Sequence, residues 1–244
     1  MSARDGGREE GDPLADLVSR SIGARVPSVE VELLASGPEG ERKRLRFTSD
    51  AGASSAIFDR APRGDTTEAQ LLPFLARRSD RLPIVYSRGI PPAHVTLGPW
   101  ILLEDVFAGG SACDDDPRQI LRAKLAIEQA VAKDPPALRA LGLRDDPRPL
   151  SASLAAAPRS LVHGDLVCAN AQRTARGTVL TGWRRAMLGP AVLDVASLVI
   201  DLERSDRRAA AATVREAYVA LDGQAGAARL LEEAERFQRA GARR

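Results

Sequence analysis

His163, Asp165 and Asn170 stand in the run LVHGDLVCAN, residues 161–170, between two short apolar segments (SLV before, TVL after) that read as strands. A carboxylate on such a loop can position a hydroxyl and accept its proton. A neutral oxygen five residues further on can turn back to hold a divalent cation against phosphates. The chemistry indicated is phosphoryl transfer, with Asp165 and His163 as the catalytic pair and Asn170 as the metal ligand. Taken alone, the tripeptide HGD reads equally well as a turn in which Asp165 is a local cap.

A loop of this kind needs a framework, and the hydrophobic periods supply one. Asp12-Pro13 followed by LADLVSRSIG predicts a capped helix with Leu14, Leu17, Val18 and Ile22 on one face, after a disordered leader over residues 1–12. Period-two runs at 29–35, 42–48 and 54–59, separated by SGPEGE and SDAGA, predict an antiparallel meander. A helix capped by Asp65 or Thr66 follows, with Glu68 in its first turn and Leu71, Leu72 and Leu75 buried. Residues 81–89 and 98–106 read as two more strands, and 117–134 as an amphipathic helix after the acidic loop Asp114–Asp116. A short helix at 151–158 and three closing helices from Leu193 complete an α+β chain. The expected division is a sheet-rich lobe over 13–106 and a helical lobe over 107–244.

Composition narrows the function classes. The 35 basic and 33 acidic residues are interspersed and leave a net charge of only +2, with 4% aromatic residues, which argues against nucleic acid as a partner. No apolar run is long enough to span a membrane, and the N-terminus carries no apolar signal core. Cys113 and Cys168 match neither a disulfide framework nor a metal-ligand spacing, which suggests a cytoplasmic, reducing setting. Only Lys43, Lys124 and Lys133 are lysines, and the arginine- and alanine-rich remainder suggests a GC-rich bacterial source.

Downstream, Trp183, Gly189-Pro190 and Asp194-Val195-Ala196 follow the loop in register. With H-x-D-x-x-x-x-N, these pieces resemble the aminoglycoside phosphotransferase and choline kinase-like family. The resemblance implies a bilobal protein kinase-like fold: a small antiparallel-sheet N-lobe with one helix, and a mostly helical C-lobe carrying the catalytic loop. It also implies ATP and Mg²⁺ as cofactors, Glu68 as the ion-pairing glutamate of the N-lobe helix, and Leu102–Val106 as the hinge, with Glu104 and Val106 at the adenine.

Three positions depart from that pattern. The metal-binding aspartate expected before Trp183 is Gly182; the third strand ends in Asp59 and Arg60 where a phosphate-binding lysine is expected; and the phosphate-covering turn carries Glu39 and Glu41, which repel a triphosphate. Arg60 takes the lysine's place only if the strand slips by one residue. The expectation is a degenerate, pseudokinase-like member that has lost efficient phosphoryl transfer and binds a peptide, small metabolite or partner protein, for example in natural-product biosynthesis. The alternative is an active ATP-dependent phosphotransferase on a small hydroxylated molecule or peptide, with Asp165 as base, Asn170 as metal ligand and Arg60 as phosphate clamp.

Overall fold

The computed structural model describes residues 12–92, 94–222 and 226–241, so the expected leader lies outside the described residues except for Asp12. The chain forms two compact units, Met1–Arg63 with Tyr86–Asp105, and Gly64–Val85 with Val106–Arg244.

In the first unit, helix α1 (Pro13–Ile22) begins where the Asp12 carboxylate accepts the Leu14 N–H at 2.9 Å and ends at Gly23, which is left-handed. Strands β1 (Val29–Gly37), β2 (Gly40–Ser49), β3 (Gly52–Arg60), β4 (Val85–Gly89) and β5 (Trp100–Glu104) form one sheet in the order β1-β2-β3-β5-β4. Neighbouring pairs from β1 to β3, and β3 with β5, are antiparallel. The alternation in β2 explains both faces. Leu45 and Phe47 join Ala56, Phe58 and Leu102 in a core covered by Ala15 and Val18 of α1. Arg42, Arg44 and Arg46 take the opposite face, where Asp59 binds Arg42, Asp105 and Glu32 bind Arg44, and Glu32 also binds Arg46. The strand expected from residue 81 begins only at Val85; Pro83, which has no N–H for a ladder, lies just before it.

The second unit opens with α2 (Thr67–Ala76), which buries Leu71, Leu72 and Leu75 as expected, and also Glu68. Helices α3 (Arg118–Val131), α4 (Pro135–Ala140) and α5 (Ala152–Ala156) lead to β6 (Arg159–Val162). The candidate loop follows, then the hairpin β7 (Ala171–Thr174) and β8 (Gly177–Leu180), and β9 (Met187–Pro190) returns to pair with β6. β9 has no sequence signature of its own: its four residues, MLGP, are too few for a period, and its pairing with β6 is long-range. Helices α6 (Val192–Arg204), α7 (Arg208–Asp222) and α8 (Ala227–Gly241) close the unit. Nearly every residue of α6 from Val192 to Leu202 is buried, so this helix is the axis on which the loop rests. No helix is long and apolar enough to cross a membrane among the described residues.

The two cysteines correct the sequence reading. Cys113 and Cys168, 55 residues apart, form a disulfide. A spacing of that size carries no local signature, because the bond depends on the turn Ala112–Asp114 packing beside the loop.

Candidate functional site

The loop between β6 and β7 is built by hydrogen bonds from three directions. His163 is fully buried; its Nε2 lies 2.8 Å from the Thr181 carbonyl, and its Nδ1 accepts the Asp165 N–H at 3.3 Å. A carbonyl needs a donor and an N–H needs an acceptor, so the ring is the neutral Nε2–H tautomer. Its plane tilts against Trp183, with ring centroids 4.4 Å apart. Gly164 has φ +81°, and a Cβ there would meet the Arg185 carbonyl at 2.1 Å, so the turn between His163 and Asp165 requires glycine.

Below the loop, α6 provides two carboxylates two helical turns apart. Asp194 is buried; it accepts the His163 N–H at 2.6 Å and the Gly164 N–H at 3.0 Å, and pairs with Lys124 at 3.2 Å. Asp201 accepts the Cys168 N–H at 2.8 Å. Lys124, on α3, is buried and also reaches the Leu161 carbonyl and Glu128. Burial pushes the Lys124 pKa down, and the Asp194 charge opposes that shift. The sequence marked Asp194 through its motif but gave no role to Lys124 or Asp201. The seven-residue spacing from Asp194 to Asp201 was the available signal, since it repeats a helix face.

Burial likewise pushes His163 below the ordinary imidazole value, against the pull of Asp194. The unfolded chain therefore binds a proton that the folded state refuses. Stability is complete above about pH 6.5, the unfolded value, and declines as pH falls below it, by at most about 1.4 kcal/mol per pH unit for this one group. Protonation would also place a hydrogen on Nδ1 against the Asp165 N–H. Denaturant unfolding at pH 8 and pH 5 should show a larger acid loss in the wild type than in His163→Asn; equal losses would remove His163 as the cause.

Asp165 is half-buried and Asn170 turns towards it. The Asn170 Nδ2 donates to the Asp165 carbonyl at 2.9 Å and to its Oδ2 at 3.2 Å, which fixes the amide nitrogen on that side. Among the described residues, Oδ1 of Asp165 accepts no hydrogen bond. The Asn170 Oδ1 faces Gly182: a Cβ built on Gly182 would lie 2.8 Å from it. Position 182 is therefore where a second ligand beside Asn170 would originate, and it carries no side chain. Among the described residues no cluster of three His, Cys, Asp or Glu side chains is arranged to hold a metal ion. These residues do not fit a Mg²⁺ site built from two protein side chains.

Restoring the acid is opposed by the backbone. Gly182 has φ +77° and ψ +46°, and a new side chain must displace Asn170. Gly182→Asp is expected to destabilise by about 1–2 kcal/mol and to raise ATP turnover by less than tenfold. A thermal melt and an ADP-release assay test both expectations, and a gain above a hundredfold would show that the loop tolerates the ligand.

Glu68 sits in the same unit, buried, with Oε1 accepting the Trp183 N–H at 3.0 Å and Oε2 3.9 Å from Arg184. It thus holds the turn Trp183–Arg185. Val106 is buried at the start of the second unit's longer stretch.

Arg60 and Glu104 belong to the first unit and do not meet. In the β3–β5 ladder Arg60 pairs with Trp100 and Glu104 with Ala56, four residues away or about 13 Å along the strand. The β2–β3 ladder runs without a slip from Ser49 and Gly52 to Glu41 and Arg60, and Arg60 pairs with Glu41 at 3.7 Å. Asp59 points to the other face, buried, and accepts Arg42 Nε at 2.7 Å. The charge at the expected lysine position is thus inverted and neutralised by an arginine from the neighbouring strand.

Comparison with known proteins bears on the family and the fold. A search of curated sequences finds no match. Among solved structures, the amicoumacin kinase hAmiN, in complex with AMP-PNP, Ca²⁺ and Ami, aligns with 12% identity over 77% of this chain and 70% of that chain, with a TM-score of 0.56. A thermostable mutant of aminoglycoside phosphotransferase APH(4)-Ia aligns over 93% of this chain and 99% of that chain at 16% identity, with a TM-score of 0.48. A choline/ethanolamine kinase family protein from Mesorhizobium loti aligns over 78% and 69% at 15% identity, also with a TM-score of 0.48. At these identities the likeness is one of fold, and it is carried by the first of the three. The sequence model of the phosphotransferase enzyme family (APH) matches residues 102–232, more than half of the chain and the whole of the loop with its α6 support. The chain belongs to the phosphotransferase enzyme family and has its protein kinase-like fold.

Proposed function

We propose that this protein has lost efficient ATP-dependent phosphoryl transfer and uses the surface around Asp165 to bind a ligand. The observation that carries this reading is the missing side chain at Gly182, where a Cβ would lie 2.8 Å from the Asn170 Oδ1, so that the metal position keeps one neutral oxygen. Two further features support it: the buried pair of Asp59 with Arg42, and the pair of Arg60 with Glu41. Each puts a carboxylate against the cation that phosphates would need. Losing one such electrostatic stabiliser costs roughly 10²–10³ in rate.

The ligand is a peptide, a small metabolite or a segment of a partner protein that offers an O–H or N–H donor. Asp165 accepts that donor through Oδ1, while Asn170 holds Oδ2 and the His163 ring holds the Asp165 amide. A bacterial, cytoplasmic role beside a partner in natural-product biosynthesis fits this reading.

Active transfer from ATP to a small hydroxylated molecule or peptide is the second reading. It is favoured by the intact HGD turn, in which Asp165 keeps one carboxylate oxygen for an acceptor hydroxyl. Calorimetric titration with ATP, with and without Mg²⁺, tests the choice in the wild type and in Asp165→Asn. No binding at millimolar ATP is expected. Tight Mg²⁺-dependent binding that Asp165→Asn weakens would establish the second reading instead.

A further inference from the structure

Cys168 lies between Asp165 and Asn170, inside the loop that defines the site, and its sulfur is bonded to Cys113. The two cysteines differ in exposure: Cys113 is 1% exposed, whereas Cys168 is half-buried. The backbone of Cys168 is held on both sides, by Asp201 at its N–H and by the Ser111 hydroxyl, which donates to its carbonyl at 3.1 Å. Ser111 also accepts the Cys113 N–H at 3.2 Å, so one hydroxyl spans both ends of the disulfide. Next to the bond, the Asn170 N–H binds the Val167 carbonyl at 3.0 Å and the Asn170 side chain binds Asp165. The covalent link therefore restrains the segment that sets the distance between Asp165 and Asn170.

We infer that Cys168 is a thiol-exchange site at which a low-molecular-weight thiol opens the disulfide and releases the Asp165–Asn170 segment. The thiolate attacks the sulfur of Cys168, the more exposed of the two residues. A bond forms between the incoming sulfur and Cys168, the Cys113–Cys168 bond breaks, and the electron pair leaves on Cys113, which takes a proton from water. A second thiol then attacks the mixed disulfide and leaves Cys168 as a thiol. The protein disulfide is reduced by two electrons, and two small thiols are oxidised to their disulfide. Attack in the opposite sense would require the thiolate to reach the buried Cys113. The functional consequence, gating of ligand access to Asp165, rests on the binding role proposed above; the exchange itself does not.

The test uses glutathione as the thiol and needs no ligand, so it fails or succeeds independently of that role. Oxidised full-length protein is incubated with reduced glutathione at cytoplasmic concentration, and adducts are mapped by mass spectrometry. The expected intermediate carries one glutathione on Cys168. In single variants, which carry one free thiol, the probe is oxidised glutathione: Cys113→Ser should form the mixed disulfide at Cys168 readily, releasing one reduced glutathione, while Cys168→Ser should leave Cys113 at least tenfold less reactive. Hydrogen exchange of the wild type is an independent measurement: amides from Asp165 to Asn170 should exchange at least tenfold faster after reduction, with the β1–β3 ladders unchanged. A disulfide that survives glutathione, an adduct on Cys113, or identical exchange in both redox states would overturn the inference.

Discussion

Asp194→Ala is expected to destabilise the second unit by about 3–5 kcal/mol, with a fall in melting temperature on the order of 10 °C. The carboxylate is fully buried and takes three donors, two backbone N–H groups of the loop and the Lys124 ammonium. Removing it strips the loop amides of their acceptor and deprives a buried cation of one of its two carboxylates, and a buried group that loses its partner costs more than the partnership itself contributed. Trp183 is a fitting probe because it packs against His163 in this unit, while the other tryptophan, Trp100, lies in the first and can be replaced by phenylalanine. Replacing the ammonium as well, in Asp194→Ala with Lys124→Met, should recover part of the loss, because the buried ammonium that has lost Asp194 is then gone. A single-variant loss below about 1 kcal/mol, or strict additivity of the pair, would mean that Asp194 does not hold the loop.

The disulfide accounts for the second large effect. Closing a loop of 55 residues removes freedom from the unfolded chain, and the chain-entropy relation gives about 4 kcal/mol. The doubly substituted Cys113→Ser, Cys168→Ser protein should lose that amount in denaturant unfolding at neutral pH. Wild type in excess dithiothreitol should lose the same amount, while the double variant should be indifferent to reductant. A wild type that is equally stable with and without reductant would show that the bond contributes nothing to the folded state's advantage.

Much of the positioning framework is legible in the chain because it is written in short periods. The alternation in RKRLRFT separates Leu45 and Phe47 from three arginines, and the actual strand has those faces. The HGD turn is legible for a stricter reason: Gly164 is the residue its φ and the neighbouring carbonyl demand, so the loop leaves a fixed signature. The missing acid at Gly182 was equally visible, since a pattern that prescribes a residue type shows its own violation.

Other parts of the site had no such trace. Glu68 reads as a first-turn helix carboxylate, and only folding brings it to the Trp183 N–H, 115 residues away. Lys124 reads as one polar position on an amphipathic helix, yet it is buried against Asp194 from another helix. By itself the sequence determined the family, the order of the longer elements and the identity of the loop, because these depend on local spacing and residue type. Tertiary structure alone decided the pairing of Cys113 with Cys168, the burial of Lys124, the left-handed backbone of Gly182 and the turning of Asn170 onto Asp165. Each of these depends on which distant segment arrives beside which, and contacts at long range leave no period in the chain.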